Sequence, residues 1–130
     1  MQSPESDLPE SLVGKSISIS PNKLLNQGRL FTTQGGIDDK KLKAAVLGED
    51  VPPEHPPSAD LWIPEPDVPY RFIIGDGNHR VAVSCLRKVP IDILIRDIII
   101  GVPKVKPIGF NTIVNKVRNE ISSVGDLGLL

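Results

Sequence analysis

The chain has 130 residues, a length that fits one domain of ordinary size. Its composition is 39% hydrophobic but only 4% aromatic, so Ile, Val and Leu must fill most of the core, and aliphatic cores rich in β-branched residues favour strands. A net charge of -1 argues against a globally basic nucleic-acid-binding protein, one cysteine excludes an intrachain disulfide, and the sequence contains no signal-peptide or membrane-spanning pattern. We therefore expect a protein of the reducing cytoplasm without membrane association.

The charge is distributed unevenly along the chain. Residues 1–70 carry six Lys/Arg and eleven Asp/Glu, whereas residues 71–118 carry nine Lys/Arg and three Asp/Glu. The second part therefore has an excess of about six positive charges, which would serve an anionic ligand such as a nucleotide or a nucleic-acid backbone. The alternative interpretation is a solvated basic face that the acidic half balances in the folded chain.

The first third of the chain contains one predicted strand and one predicted helix. Residues 1–14 are polar and rich in turn-forming residues, which predicts a flexible leader. "KSISIS" alternates apolar and polar residues, with Ile17 and Ile19 on one face, as in a half-buried strand. "IDDKKLKAAVLGE" has the spacing of a short amphipathic helix that Gly48 would end.

A proline-rich segment follows between Val51 and Pro69. Prolines remove backbone donors and fix φ, so their density here argues against a continuous helix or a central strand. The prediction is a long rigid loop, with "LWIP" as at most a brief edge strand.

From Tyr70 the pattern becomes strand, loop, helix, strand. "YRFII" predicts a strand, "HRVAVSCLRK" a short helix, and "IDILIRDIII" a strongly apolar strand. A further helix is predicted at "NTIVNKVRNEIS", whose apolar stripe is expected in the core, with a homodimer contact as the alternative. That stripe consists of Ile113, Val117 and Ile121. The predicted domain covers residues 15–123, and residues 124–130 form a glycine-rich tail.

The segment from Gly75 to Arg80 joins the first strand of this unit to the helix. Backbone N–H groups and the positive end of the helix dipole meet at such a junction, which favours binding of phosphate or carboxylate. Gly75 and Gly77 would let the backbone turn and approach a ligand, and Asn78 is the predicted N-cap. His79 and Arg80 would lie in the first turn, where a permanent positive charge costs about 0.3–1 kcal/mol unless an anion is nearby.

Each of these residues also has a purely structural interpretation. The glycines would only form a turn, and Asp76 would only form an Asx turn. His79 would be a hydrogen-bonded structural histidine, and Arg80 would pair with Asp76 or Asp97. The functional interpretation depends on the co-occurrence of backbone donors, a carboxylate, an imidazole and a guanidinium at one strand-to-helix junction.

The segment "IIGDGNHRVAVSCLRKVPIDILI" resembles the signature of the ParB/sulfiredoxin superfamily. In that superfamily a strand leads into a G-x-H-R or D-G-x-H-R loop, then a short helix, then a strand that begins near "VP". The resemblance covers roughly residues 15–97 and is specific from Phe72 to Ile95. It implies an α+β fold in a single domain, with a small mixed sheet and short helices packed on it.

The resemblance also implies a nucleotide site. Gly77, Asn78, His79 and Arg80 match the positions that hold nucleotide phosphates in the superfamily, with Gly75 just before them, and Asp76 matches an acid that in some members serves catalysis or metal contact. ATP, ADP or CTP with Mg²⁺ are the implied cofactors. No residue is assigned as a dedicated metal ligand.

Two differences between this sequence and members of the superfamily narrow the range of functions that the resemblance implies. Sulfiredoxins have a reactive cysteine where this chain has Asn78, so repair of sulfinic acids is not expected. Cys85 is interpreted as a small apolar packing residue of the helix. The partition proteins have a G-E-R-R loop and an added helix-turn-helix domain, for which the chain has no room.

Two classes of function remain. As an enzyme, the domain would be a nucleotide-dependent phosphotransferase or hydrolase with Asp76 and His79 as catalytic residues, or a ParB-like nuclease. As a binding module, it would sense nucleotides or associate with DNA without turnover. His55 lies apart from other metal-ligating residues in the sequence, so no structural metal site is predicted there.

Overall fold

The structure, a computed structural model, describes residues 12–33 and 56–123. The strands are β1 (Ser16–Ile19), β2 (Leu30–Thr32), β3 (Ser58–Ile63), β4 (Arg71–Asp76), β5 (Ile91–Ile100) and β6 (Ile108–Gly109). The helices are α1 (Pro21–Asn26), α2 (Asn78–Arg87) and α3 (Asn111–Ser123). The helix predicted within "IDDKKLKAAVLGE", the tail, and all but the last three residues of the predicted leader lie outside the described residues.

The strands form one mixed sheet in the order β1-β5-β3-β4-β2-β6. Two pairs are parallel, β3 with β5 and β2 with β4, whereas the other three pairs are antiparallel. The predicted mixed α+β fold is therefore confirmed. Because β2 and β4 are parallel neighbours, their carboxyl ends lie at the same edge of the sheet.

The prediction that residues 51–69 contain no central strand is wrong. β3 pairs with β4 on one side, from Ser58 to Trp62, and with β5 on the other, from Ser58 to Ile63. The physical reason is the position of the prolines. Pro57 precedes the strand and Pro64 follows it, so every residue between them keeps its backbone N–H for the sheet.

The core lies on one face of the sheet. Leu61, Phe72, Ile74 and Ile95 project from neighbouring strands onto this face, where the described helices pack against them. Ile113 and Val117 of α3 are buried there, as the predicted stripe requires. Cys85 is buried in the same cluster, in agreement with a packing role.

The other face of the sheet carries an aromatic and cationic group. The guanidinium of Arg71 lies 5.2 Å from the ring centre of Trp62 and 5.6 Å from that of Phe31, and the two rings meet edge to face at 5.2 Å. The Trp62 indole N–H donates a hydrogen bond of 2.7 Å to the Gly101 carbonyl. This hydrogen bond attaches the residue that follows β5 to β3, and the ring and cation contacts join β3 to β4 and β2.

The pairing of β3 is irregular on both sides near its first residues. Ser58 aligns with Asp76 but Ala59 aligns with Ile74, so Gly75 is the extra residue on β4. On the other side, the register shift between Ala59 and Asp60 makes Arg96 the extra residue on β5. Such bulges redirect side chains at sheet edges and next to functional sites.

Within residues 12–33 and 56–123, no helix combines the length and the apolar character that crossing a membrane requires.

Candidate functional site

The predicted strand-to-helix junction is confirmed. β4 continues through Gly75 and Asp76, both of which are exposed, and the chain turns at Gly77 directly into α2. The amide of Val81 donates to the Gly77 carbonyl at 3.0 Å, which is the first turn of the helix. The sequence placed Gly75 in the loop, whereas the structure places it in the last part of the strand.

Both the backbone conformation and the lack of space for a side chain require glycine at position 77. Its φ of +80° lies in the left-handed region, where side chains other than hydrogen are strained. A Cβ on Gly77 would lie 2.7 Å from the Cβ of Pro57 and 2.9 Å from its Cα. The turn therefore brings the start of α2 directly against the residue that precedes β3.

The prediction that Asn78 is the N-cap is wrong. Gly77 occupies the cap position, and Asn78 is the first residue of α2, with only 2% of its surface exposed. The Thr32 hydroxyl donates a hydrogen bond of 2.6 Å to Asn78 Oδ1 and lies 3.3 Å from the Ile74 carbonyl. Asn78 therefore joins the helix start to the end of β2, a contact across 46 positions that local sequence cannot show.

His79 and Arg80 lie in the first turn of α2, as predicted, but in different environments. His79 is 4% exposed, whereas Arg80 is partly exposed. Gly75, Asp76 and Arg80 are thus open to solvent, whereas the buried side chains of Asn78 and His79 support the junction from inside. The first turn contains no acidic residue to balance the helix dipole.

We expect Thr32→Val to destabilise the protein by about 1–3 kcal/mol, because the change removes the hydroxyl that donates to a buried amide oxygen while keeping the shape of the side chain. The free energy of unfolding is measured by urea denaturation. Thr33→Val is the matched control, since Thr33 is exposed and its replacement should change stability by less than about 0.5 kcal/mol. Equal losses in the two variants would contradict the Thr32–Asn78 bond.

The structure also brings together two carboxylates that the sequence did not associate. Asp60 of β3 and Asp97 of β5 are aligned in the sheet, and both line a cavity of about 390 Å³ together with Ala59, Gly75 and Arg96. Burial and the neighbouring Asp97 raise the pKa of Asp60, against an opposing effect of Arg96. The sequence suggests Asp97 only as a partner for Arg80 and suggests no role for Asp60, because only the β3–β5 register places the two carboxylates together.

The described part of the chain contains no cluster of metal-ligating side chains, and the thiol of Cys85 is buried. Residues 12–33 and 56–123 contain no group of three or more His, Cys, Asp or Glu positioned to hold a metal ion. Burial raises the pKa of the Cys85 thiol, with Arg118 opposing, so the thiolate is disfavoured.

No protein-family model matches the chain, and no curated protein or solved structure matches it. The likeness of residues 72–95 to the ParB/sulfiredoxin signature therefore rests on the sequence motif itself.

Proposed function

We propose that residues 75–80 bind the phosphate groups of a nucleotide or another phosphorylated ligand, within a domain of the ParB/sulfiredoxin type. The observation that carries the proposal is the left-handed turn at Gly77. After this turn a ten-residue helix begins, so the positive end of its dipole follows directly on the exposed residues Gly75 and Asp76 at the end of β4. The D-G-x-H-R motif at the same positions supports the same ligand class.

The charge of Arg80 supports an anionic ligand. A cation in the first turn of a helix interacts unfavourably with the helix dipole, and a bound phosphate offsets this cost because it attracts both the cation and the positive end of the dipole. Arginine also forms paired hydrogen bonds with phosphate oxygens. The basic excess of residues 71–118 adds long-range attraction for such a ligand.

Burial divides the predicted site residues into two roles. We assign ligand contact to Arg80, to Asp76 and to the backbone of Gly75 and Gly77, since solvent reaches this part of the junction. Asn78 and His79 act as positioning residues that hold the first turn against β2 and the core. His79 would thus contribute to catalysis through the placement of its neighbours.

For the reaction, we propose a nucleotide-dependent phosphoryl transfer or hydrolysis. Asp76 is the exposed carboxylate next to the turn, and it would act as a general base or as a contact to the Mg²⁺ of a bound ATP, ADP or CTP. The second candidate is a module that binds nucleotide or DNA without turnover. The excess of positive charge in residues 71–118 favours such a module, and it favours the ParB-like nuclease hypothesis equally.

Arg80→Ala should weaken binding of ATP, ADP or CTP in the presence of Mg²⁺ by roughly tenfold or more, because a charge-assisted hydrogen bond to phosphate is lost. A thermal-shift panel of the three nucleotides identifies the ligand, and titration of wild type and variant gives the change in Kd. Arg87→Ala is the matched control, since Arg87 lies in the last turn of the same helix.

The outcomes separate the two classes of function. Equal affinities of wild type and Arg80→Ala would refute the phosphate-binding assignment. If a nucleotide binds, a product assay follows. Turnover that Asp76→Ala abolishes without loss of binding supports the enzyme, whereas binding of nucleotide or DNA without product supports the module.

A further inference from the structure

A second cavity opens on the face of the sheet opposite the described helices. Its volume is about 530 Å³, within the size range of small-molecule sites, and it lies beside the loop that follows β5. Asp60 and Asp97 contribute carboxylates to its lining, and Thr33 lies at its border. No residue from Gly75 to Arg80 lines this cavity, but Asp60 and Asp97 also line the smaller cavity that reaches Gly75, so the two cavities adjoin at these carboxylates.

The lining combines negative charge with apolar surface. Ile73 and Ile99 form part of the wall, and Val102 and Val105 border the cavity from the loop. Val102 is 92% exposed and Val105 is 62% exposed. Apolar side chains held this far into solvent beside a cavity are typical of binding surfaces.

The two carboxylates lie at aligned positions on neighbouring strands. Asp97 Oδ1 accepts a hydrogen bond of 2.8 Å from the Ile98 amide, which fixes the carboxylate. Burial and the proximity of Asp97 both disfavour the charged form of Asp60 and raise its pKa. Arg96 opposes this shift, and a cation bound between the carboxylates would offset their mutual repulsion but not the effect of burial.

We propose that this cavity binds an aliphatic amine, with the ammonium group at Asp60 and Asp97 and the hydrocarbon part against Ile99, Val102 and Val105. Ammonium donors match the carboxylate acceptors, and an alkyl chain covers apolar surface that otherwise faces water. The exposed Lys104 also lines the cavity and would repel a second cationic group at that end, which favours a monoamine over a diamine.

The experiment titrates ¹⁵N-labelled protein with n-hexylamine at neutral pH, and with hexanoate and ammonium chloride as probes that lack the positive charge or the alkyl chain. Hexylamine should displace the amide resonances of Thr33, Asp60 and Ile99, and the other two probes should bind at least roughly tenfold more weakly. Binding of hexanoate as tight as that of hexylamine, or no displacement at these residues, would overturn the proposal.

Variants test the role of the carboxylates. Asp60→Asn should weaken hexylamine binding by roughly tenfold, since the amide keeps the shape but loses the charge. Asp92→Asn is the matched control on β5, because Asp92 is exposed, is aligned with Ser18 of β1 and does not line the cavity. Equal affinity of wild type and Asp60→Asn overturns the proposal. If Asp60→Asn does not fold, the map of displaced resonances on the wild-type protein decides the question alone.

Discussion

Gly77→Ala is expected to lower the free energy of unfolding by about 2–5 kcal/mol. The left-handed conformation at φ +80° costs a residue with a Cβ about 1–2 kcal/mol. The new methyl group would also lie within 2.9 Å of Pro57, and overpacking of this kind adds about 1–3 kcal/mol. Because Pro57 is buried and its carbonyl accepts the amide of Leu94, it cannot move without disturbing β5.

Urea denaturation of the purified variants measures this effect. Gly101→Ala is the matched control, since Gly101 has a φ of +87° but its added methyl group would meet nothing within 4 Å. The control should lose only the conformational part, about 1–2 kcal/mol. Similar losses in both variants would show that the close approach between the turn and Pro57 is absent.

The contact between Gly77 and Pro57 also affects the candidate site. Relief of the clash requires the start of α2 to move away from β3, and this displaces Arg80 from the edge of the sheet. Glycine is thus required at position 77 for the strand-to-helix junction to keep its shape. The sequence predicts the turn, but it does not predict that Pro57 lies against it.

Local patterns predicted most of the region after Tyr70. The apolar runs of β4 and β5 and the short helix between them are continuous in sequence, so periodicity and turn residues are sufficient to locate them. The buried residues Ile113 and Val117 of α3 are found in the same way. The placement of His79 and Arg80 in the first turn of α2 follows from the position of the glycines.

The remaining features depend on contacts between distant parts of the chain. The bond between Thr32 and Asn78 and the alignment of Asp60 with Asp97 exist only because β2, β3 and β5 take particular places in the sheet. Residue spacing carries no information on strand order. The high density of prolines in residues 51–69 did not exclude a central strand, because residues 58–63 contain none.

Leu61→Ala tests the central position of β3. Leu61 is fully buried, and its partners in the sheet are Phe72 on β4 and Ile98 on β5. Removal of its side chain from a core enclosed on both sides should lower the free energy of unfolding by about 3–5 kcal/mol, as expected where surrounding strands cannot collapse into the space. Urea denaturation gives the difference from wild type.

Ile100→Ala provides the comparison, because Ile100 ends β5 and is 72% exposed. Its truncation removes little buried surface and should cost less than about 0.5 kcal/mol. The edge strand that the prolines suggested would leave residue 61 with one neighbouring strand and part of its surface in water. A loss at Leu61 as small as that at Ile100 would support that arrangement, whereas a large difference requires β3 to lie between β4 and β5.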